Sequence, residues 1–150
     1  MASLKSQKAT APAFMPGDGR AMTITDKAVL GAGNLGTPAA ADTIDFFVPG
    51  GTKVTDLHLV LDDCDTGAAF VFGVGYRPVN SASALAPSSS YFAAAGQTTG
   101  QAGGKLDCSF KPIKFEEDVY VQVVVGTAPA GISGNPEIHM VASGISEGIK

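Results

Sequence analysis

The feature that most constrains this chain is apolar alternation with a period of two, cut at short intervals by glycine and proline. Val119, Val121, Val123 and Val125 fall on one side of an extended segment, with Tyr120, Gln122 and Val124 on the other. Leu57, Leu59 and Leu61 alternate in the same way with Asp56, His58 and Val60. Successive side chains of a strand point to opposite faces, so this pattern describes half-buried strands. It recurs in Met22/Ile24, in Ile44/Phe46/Val48, in Phe70/Phe72/Val74/Tyr76 and in Ile138/Met140/Ala142, and a further strand is expected over Leu106–Lys111. The segments are separated by turn chemistry such as Pro49-Gly50-Gly51 and Asp65-Thr66-Gly67. The expected fold is all-β: an antiparallel β-sandwich or barrel of about eight strands, with a jelly roll favoured by strand count. The Leu57/Leu59/Leu61 and Val119/Val121/Val123 faces are expected to form its core.

Three stretches depart from the pattern. Residues 1–20 contain Pro12, Pro16, Gly17 and Gly19 and show neither period, so they read as an extended arm before a single domain over 21–150. Lys5, Lys8 and Arg20 against Asp18 give the arm +2 in a chain of net charge −4, which leaves −6 on the other 130 residues. Leu4, Phe14 and Met15 are its apolar anchors. It is either a frayed terminus or a tether that orders on a partner. Residues 77–105 are rich in Gly, Ser and Ala and read as one long loop. Within it Ser88-Ser89-Ser90 is expected to cap a helical turn over Tyr91–Ala95, with Tyr91 and Phe92 pinning the loop to the body or to a neighbouring subunit. Residues 144–150 read as a loose tail. Gly73 and Gly75, opposite the Phe72 face, mark a place where another backbone packs closely.

The chemistry-bearing motifs are weak. Asp65-Thr66-Gly67-Ala68 has the letters of a retroviral-type aspartic protease loop, and Val124-Val125-Gly126 follows downstream. That chemistry needs two carboxylates sharing one proton. Here Asp62, Asp63 and Cys64 precede Asp65, where an apolar strand end is required, so a solvated hairpin turn is the better reading. Asp63-x-Asp65 lacks the third acid and distal Glu of a calcium loop. His58 and His139 show no zinc spacing. Gly31-Ala32-Gly33-Asn34-Leu35-Gly36 is followed by Thr37-Pro38 and not by the helix that a dinucleotide site requires. No catalytic, cofactor or metal residue is therefore assigned. Scattered cations on an acidic chain argue against nucleic acid as a partner, and no apolar run nears the length of a membrane helix. Met1-Ala2-Ser3-Leu4-Lys5 opens no apolar signal region, so reduced cysteines are expected, with pairing of Cys64 and Cys108 left open.

The stretch from Val54-Thr55-Asp56-Leu57 through Asp62-Asp63-Cys64-Asp65-Thr66-Gly67 to Phe72-Gly73-Val74-Gly75-Tyr76 resembles small head proteins of tailed bacteriophages, the cement or decoration proteins of podovirus-like capsids. The resemblance implies a non-catalytic jelly-roll subunit, made in the host cytoplasm and carried on the virion surface. Its partner would be the major capsid protein, and it would form a homo-oligomer, dimeric or trimeric. Its contact residues are expected among Leu4, Lys5, Lys8, Phe14, Met15, Tyr91 and Phe92. Cys64 and the long 77–105 segment depart from that pattern. The alternatives are a tail or fibre-associated β-module, a carbohydrate-binding jelly roll and, last, the protease.

Overall fold

A computed structural model describes residues 1–6 and 20–148. Among the described residues ten strands follow one another: β1 (Ser3–Lys5), β2 (Arg20–Val29), β3 (Thr43–Val48), β4 (Thr52–Leu61), β5 (Val71–Pro78), β6 (Ser88–Gln97), β7 (Gly104–Asp107), β8 (Ile113–Phe115), β9 (Val119–Thr127) and β10 (Glu137–Ser146). A three-residue 3-10 turn at Thr99–Gln101 is the one helical element among the described residues. The first sheet runs β1-β3-β9-β5-β6; the second runs β2-β10-β4-β7, with β8 also on β4. Pairing is antiparallel throughout except for β1 on β3, which is parallel. The all-β sandwich expected from alternation is what forms.

The core lies between the sheets and uses the faces the alternation marks. Leu57, Leu59, Val121, Val123, Phe46, Phe72, Ile138 and Met140 are all fully buried. Register places Leu59 between Met140 on β10 and Leu106 on β7. A β-branched valine row on a central strand suits the pleated surface. Strand β3 goes further: Thr43, Asp45 and Phe47, on the face turned away from this core, are buried too.

The irregular stretches are more ordered than their composition suggests. Residues 77–105 are not one loop, and Ser88–Gln97 is a strand, not a capped helical turn. The cause is tertiary. A Cβ on Gly75 would lie 1.9 Å from the Ser88 carbonyl oxygen, and one on Gly73 would lie 3.2 Å from the Ala95 Cα. The two glycines let β6 close onto β5, with register shifts between Phe72 and Val74 and between Val74 and Tyr76. The expected Leu106–Lys111 strand is replaced by β7 and β8 on either side of a break. The expected loose tail is strand as far as Ser146, paired to β4 across a bulge at Ser143/Gly144. In the expected arm, residues 3–5 are the strand β1, so the first six residues belong to the sandwich edge.

Truncating Leu59 to Ala should cost about 2–5 kcal/mol, because the side chain is fully buried between two strands. Urea unfolding followed by far-ultraviolet circular dichroism measures it. A loss under about 0.5 kcal/mol would mean that the site collapses without penalty and that this face is not the core.

Candidate interaction surface

On the outer face of the first sheet, Asp45 of β3 is fully buried and surrounded by donors from three other strands. Gln122 of β9 donates from Nε2 to its Oδ1 at 2.7 Å. Arg77 of β5 donates to Oδ2 at 2.9 Å, and Lys5 and the Ser3 hydroxyl, both on β1, donate to the same oxygen. Burial alone would raise the Asp45 pKa, but Lys5, Ser3 and Gln122 outweigh it and hold the carboxyl below its ordinary value. Tyr120 of β9 supplies the floor: Lys5 Nζ lies 3.6 Å and the Arg77 guanidinium carbon 4.7 Å from its ring centre. Asp45 thus joins β1, β3, β5 and β9 at one point.

The N-terminus is fixed by more than this. The Ala2 amide donates to Asp42 Oδ1 at 2.8 Å, and the Thr43 amide donates to the Ala2 carbonyl at 3.0 Å. The amide donors from Ala2 and Ala39 lower the Asp42 pKa. The buried Ser6 hydroxyl donates to Asp26 on β2, so this edge also reaches the second sheet. Between Met1–Ser3 and the loop before β6 lies a groove of about 560 Å³, floored by Thr43, Gln122 and Val124 and walled by Leu85 and Pro87.

A second carboxylate organises the other end. Asp65 was expected in a solvated hairpin; Asp62, Asp63, Thr66 and Gly67 are indeed exposed, but the Asp65 side chain turns inward and the residue is only 2% exposed. Its Oδ1 accepts the amides of Gly67 and Ala130, and its Oδ2 those of Ala69 and Phe70. Burial would raise its pKa; the four amides overcome that and bring it down to about 2. Both oxygens are engaged and the carboxyl is ionised at neutral pH, which is the opposite of a dyad sharing one proton. Neighbouring Cys64 is pushed up to about 12 by burial and by Asp62, Asp63 and Asp65. Cys108 is raised to about 11 by burial, Asp107 and Asp56. Both are free thiols, and neither is poised as a nucleophile. His139 faces Glu137 at 2.7 Å, and Glu137 also pairs with Lys27. Among the described residues no cluster of three metal-ligating side chains forms.

Of the expected contact residues, the described ones lie on β1 and β6. Lys5 is committed to Asp45, and Leu4 packs against the core. Phe92 is a core residue, 1% exposed, and so is not a free contact. Its ring meets Phe110 edge-on at 4.7 Å. Tyr91 stacks edge-on with Tyr76 at 5.5 Å and donates its hydroxyl to the Lys111 carbonyl. Of the two roles foreseen for this pair, the structure shows pinning to the body. Lys8, Phe14 and Met15 lie outside the described residues. Asp45, Arg77, Gln122 and Tyr120 were not singled out in the sequence. The signal for them is a lone acid inside Thr-Ile-Asp-Phe-Phe-Val, since a carboxylate among strand aromatics requires partners.

No family model matches the chain, and no curated protein matches it. Among solved structures, the fold is similar to a chain of the capsid of Ralstonia phage GP4, with a TM-score of 0.75 and 24% identity over 99% of this chain and 100% of that one. It is also similar to a chain of the cyanophage Pam1 capsid asymmetric unit, with a TM-score of 0.61 and 17% identity over 91% and 94%. The head-protein resemblance drawn from residues 54–76 is therefore matched by the fold of nearly the whole chain.

Asp65 sets an acid limit. Its folded pKa of about 2 lies below the ordinary 3.8, so its contribution is complete above about pH 4 and fades as pH falls through about 2. Asp65→Asn should be less stable than the parent at neutral pH and lose less stability on acidification. Urea midpoints at about pH 6, 4 and 2 test this, and parallel acid curves for the two proteins would contradict it.

Proposed function

We propose that this chain is a non-catalytic capsid protein that decorates the outside of an assembled phage head and stabilises it by bridging subunits of the major capsid protein. The observation that carries this reading is the end-to-end likeness to chains from two phage capsids. The chemistry of the fold agrees with it. The two most heavily coordinated carboxylates, Asp45 and Asp65, spend their lone pairs holding strands and loops together. A shell component gains from such cross-bracing, and many weak contacts on one lattice add by avidity.

Residues 7–19 are proposed as a shell contact, with Lys8, Phe14 and Met15 as the anchors. The support is their composition: apolar side chains in a segment broken by Pro and Gly, whose one cation, Lys8, is balanced by Asp18, on an otherwise acidic chain. Burying Phe14 and Met15 on a partner would contribute about 1.5–3 kcal/mol each, against about 1–2 kcal/mol per residue ordered. Only a short stretch around them is then fixed.

Purified protein added to mature shells that lack it should co-sediment with them and raise their disruption temperature. Phe14→Ala/Met15→Ala, which leaves β1 in place, should bind at least about tenfold more weakly, a change of about 1.4 kcal/mol. Binding to isolated tails but not to shells would instead favour the tail-associated reading.

A further inference from the structure

Strand β6 ends the first sheet, and among the described residues nothing pairs with its outer edge. The strand is ten residues long but lies opposite only Phe72–Tyr76 of β5, across two register shifts, so its open edge runs over about 14 Å, and folded proteins ordinarily guard such edges with charge, proline or bulges. Other strands with an open side here are guarded. β1 carries Lys5, β2 carries Arg20, Asp26 and Lys27, β7 carries Lys105 and Asp107, and β8 carries Lys114. β6 carries neither charge nor proline, and only its two register shifts break the edge. The neutrality extends beyond the strand: between Arg77 and Lys105 the sequence contains no charged residue, although 24 of the 150 residues are charged. Much of this neutral segment is exposed, including Val79, Ala82, Ala86, Ser90 and Ala94.

We infer that the β6 edge is a self-association surface that pairs with β6 of a second copy of this chain. Depletion of charge, more than bulk hydrophobicity, distinguishes the centre of a protein interface. The choice of a second copy follows from the charge distribution. Two copies of a chain of net charge −4 repel, and the uncharged edge is where they approach at least electrostatic cost. Antiparallel pairing about a two-fold axis places the same patch on both sides, so no complementary surface is required. It would continue each five-stranded sheet into its mate and satisfy the backbone groups that the bulged edge leaves open. The flanking residues before Ser88 and after Gln97 widen the contact beyond a single strand. This inference names the oligomer contact of the proposed capsid protein and is testable without a shell.

Ser90 and Ala94 are exposed and flank the midpoint of β6. The parent should sediment as a dimer at micromolar concentration. Ser90→Glu/Ala94→Glu should keep the parent's circular dichroism and dimerise at least about tenfold more weakly. Mixing it with Ser90→Lys/Ala94→Lys should restore association by pairing opposite charges. Thr25→Glu, exposed on the β2 edge, should leave the dimer unchanged. A parent that stays monomeric at about 100 µM, or a glutamate variant that dimerises undiminished, would overturn the inference. So would a monomeric parent whose glutamate variant loses only shell binding, since the edge would then serve the shell protein. A parent that dimerises through this edge but binds no shell would sustain this inference and refute the capsid reading.

Discussion

A carboxylate buried among strands is stable only if other donors replace the water it gives up. Asp45 meets that condition with Gln122, Arg77, Lys5 and Ser3, two of them cations. The consequence is architectural. The acid commits β1 to the edge of β3, fixes β5 against β9 on the outer face, and orients two cations over Tyr120. Without the N-terminal residues this face of β3 would hold a carboxylate short of two partners. The outer face of the first sheet therefore depends on residues at the far end of the chain.

Asp65 does the same for loops. Its four amide donors come from the turn after β4 and from Ala130 on the loop before β10, 65 residues away. The Thr66 amide donates to the Gly131 carbonyl, on the same loop as Ala130, and the Cys64 amide to the Gly100 carbonyl, which ties the turn to one further element, the 3-10 turn. A buried, ionised acid with every lone-pair direction taken is a brace. This is why letters suggestive of a protease loop describe a structural joint.

Alternation made much of the sandwich legible, because wherever one face is Leu, Val or Phe and the other is not, the period is unambiguous. Leu57/Leu59/Leu61 and the valines of β9 are the clearest cases. β6 was illegible because Ser and Ala carry little hydrophobic contrast; its state is set by the close approach at Gly73 and Gly75, which the sequence did signal. β1 is only three residues long and is a strand because Asp45 and Asp42 hold it. The inward turn of Asp65 depends on Ala130, a partner that no local pattern reveals. Phe92, expected to pin its segment to the body or to a neighbouring subunit, pins it to the body, packed in the core against Phe110 and Tyr76.

A braced sandwich, a fold similar to chains from two phage capsids and an edge free of charge all support the proposed role, a subunit that rides on a shell. The most direct test of that role is a cryo-electron-microscopic reconstruction of the phage particle proposed to carry the chain. The account predicts density for this two-sheet sandwich on the outer surface of the shell, at sites shared by neighbouring major capsid subunits. Density for it only in the tail, or on the inner face of the shell, would contradict it.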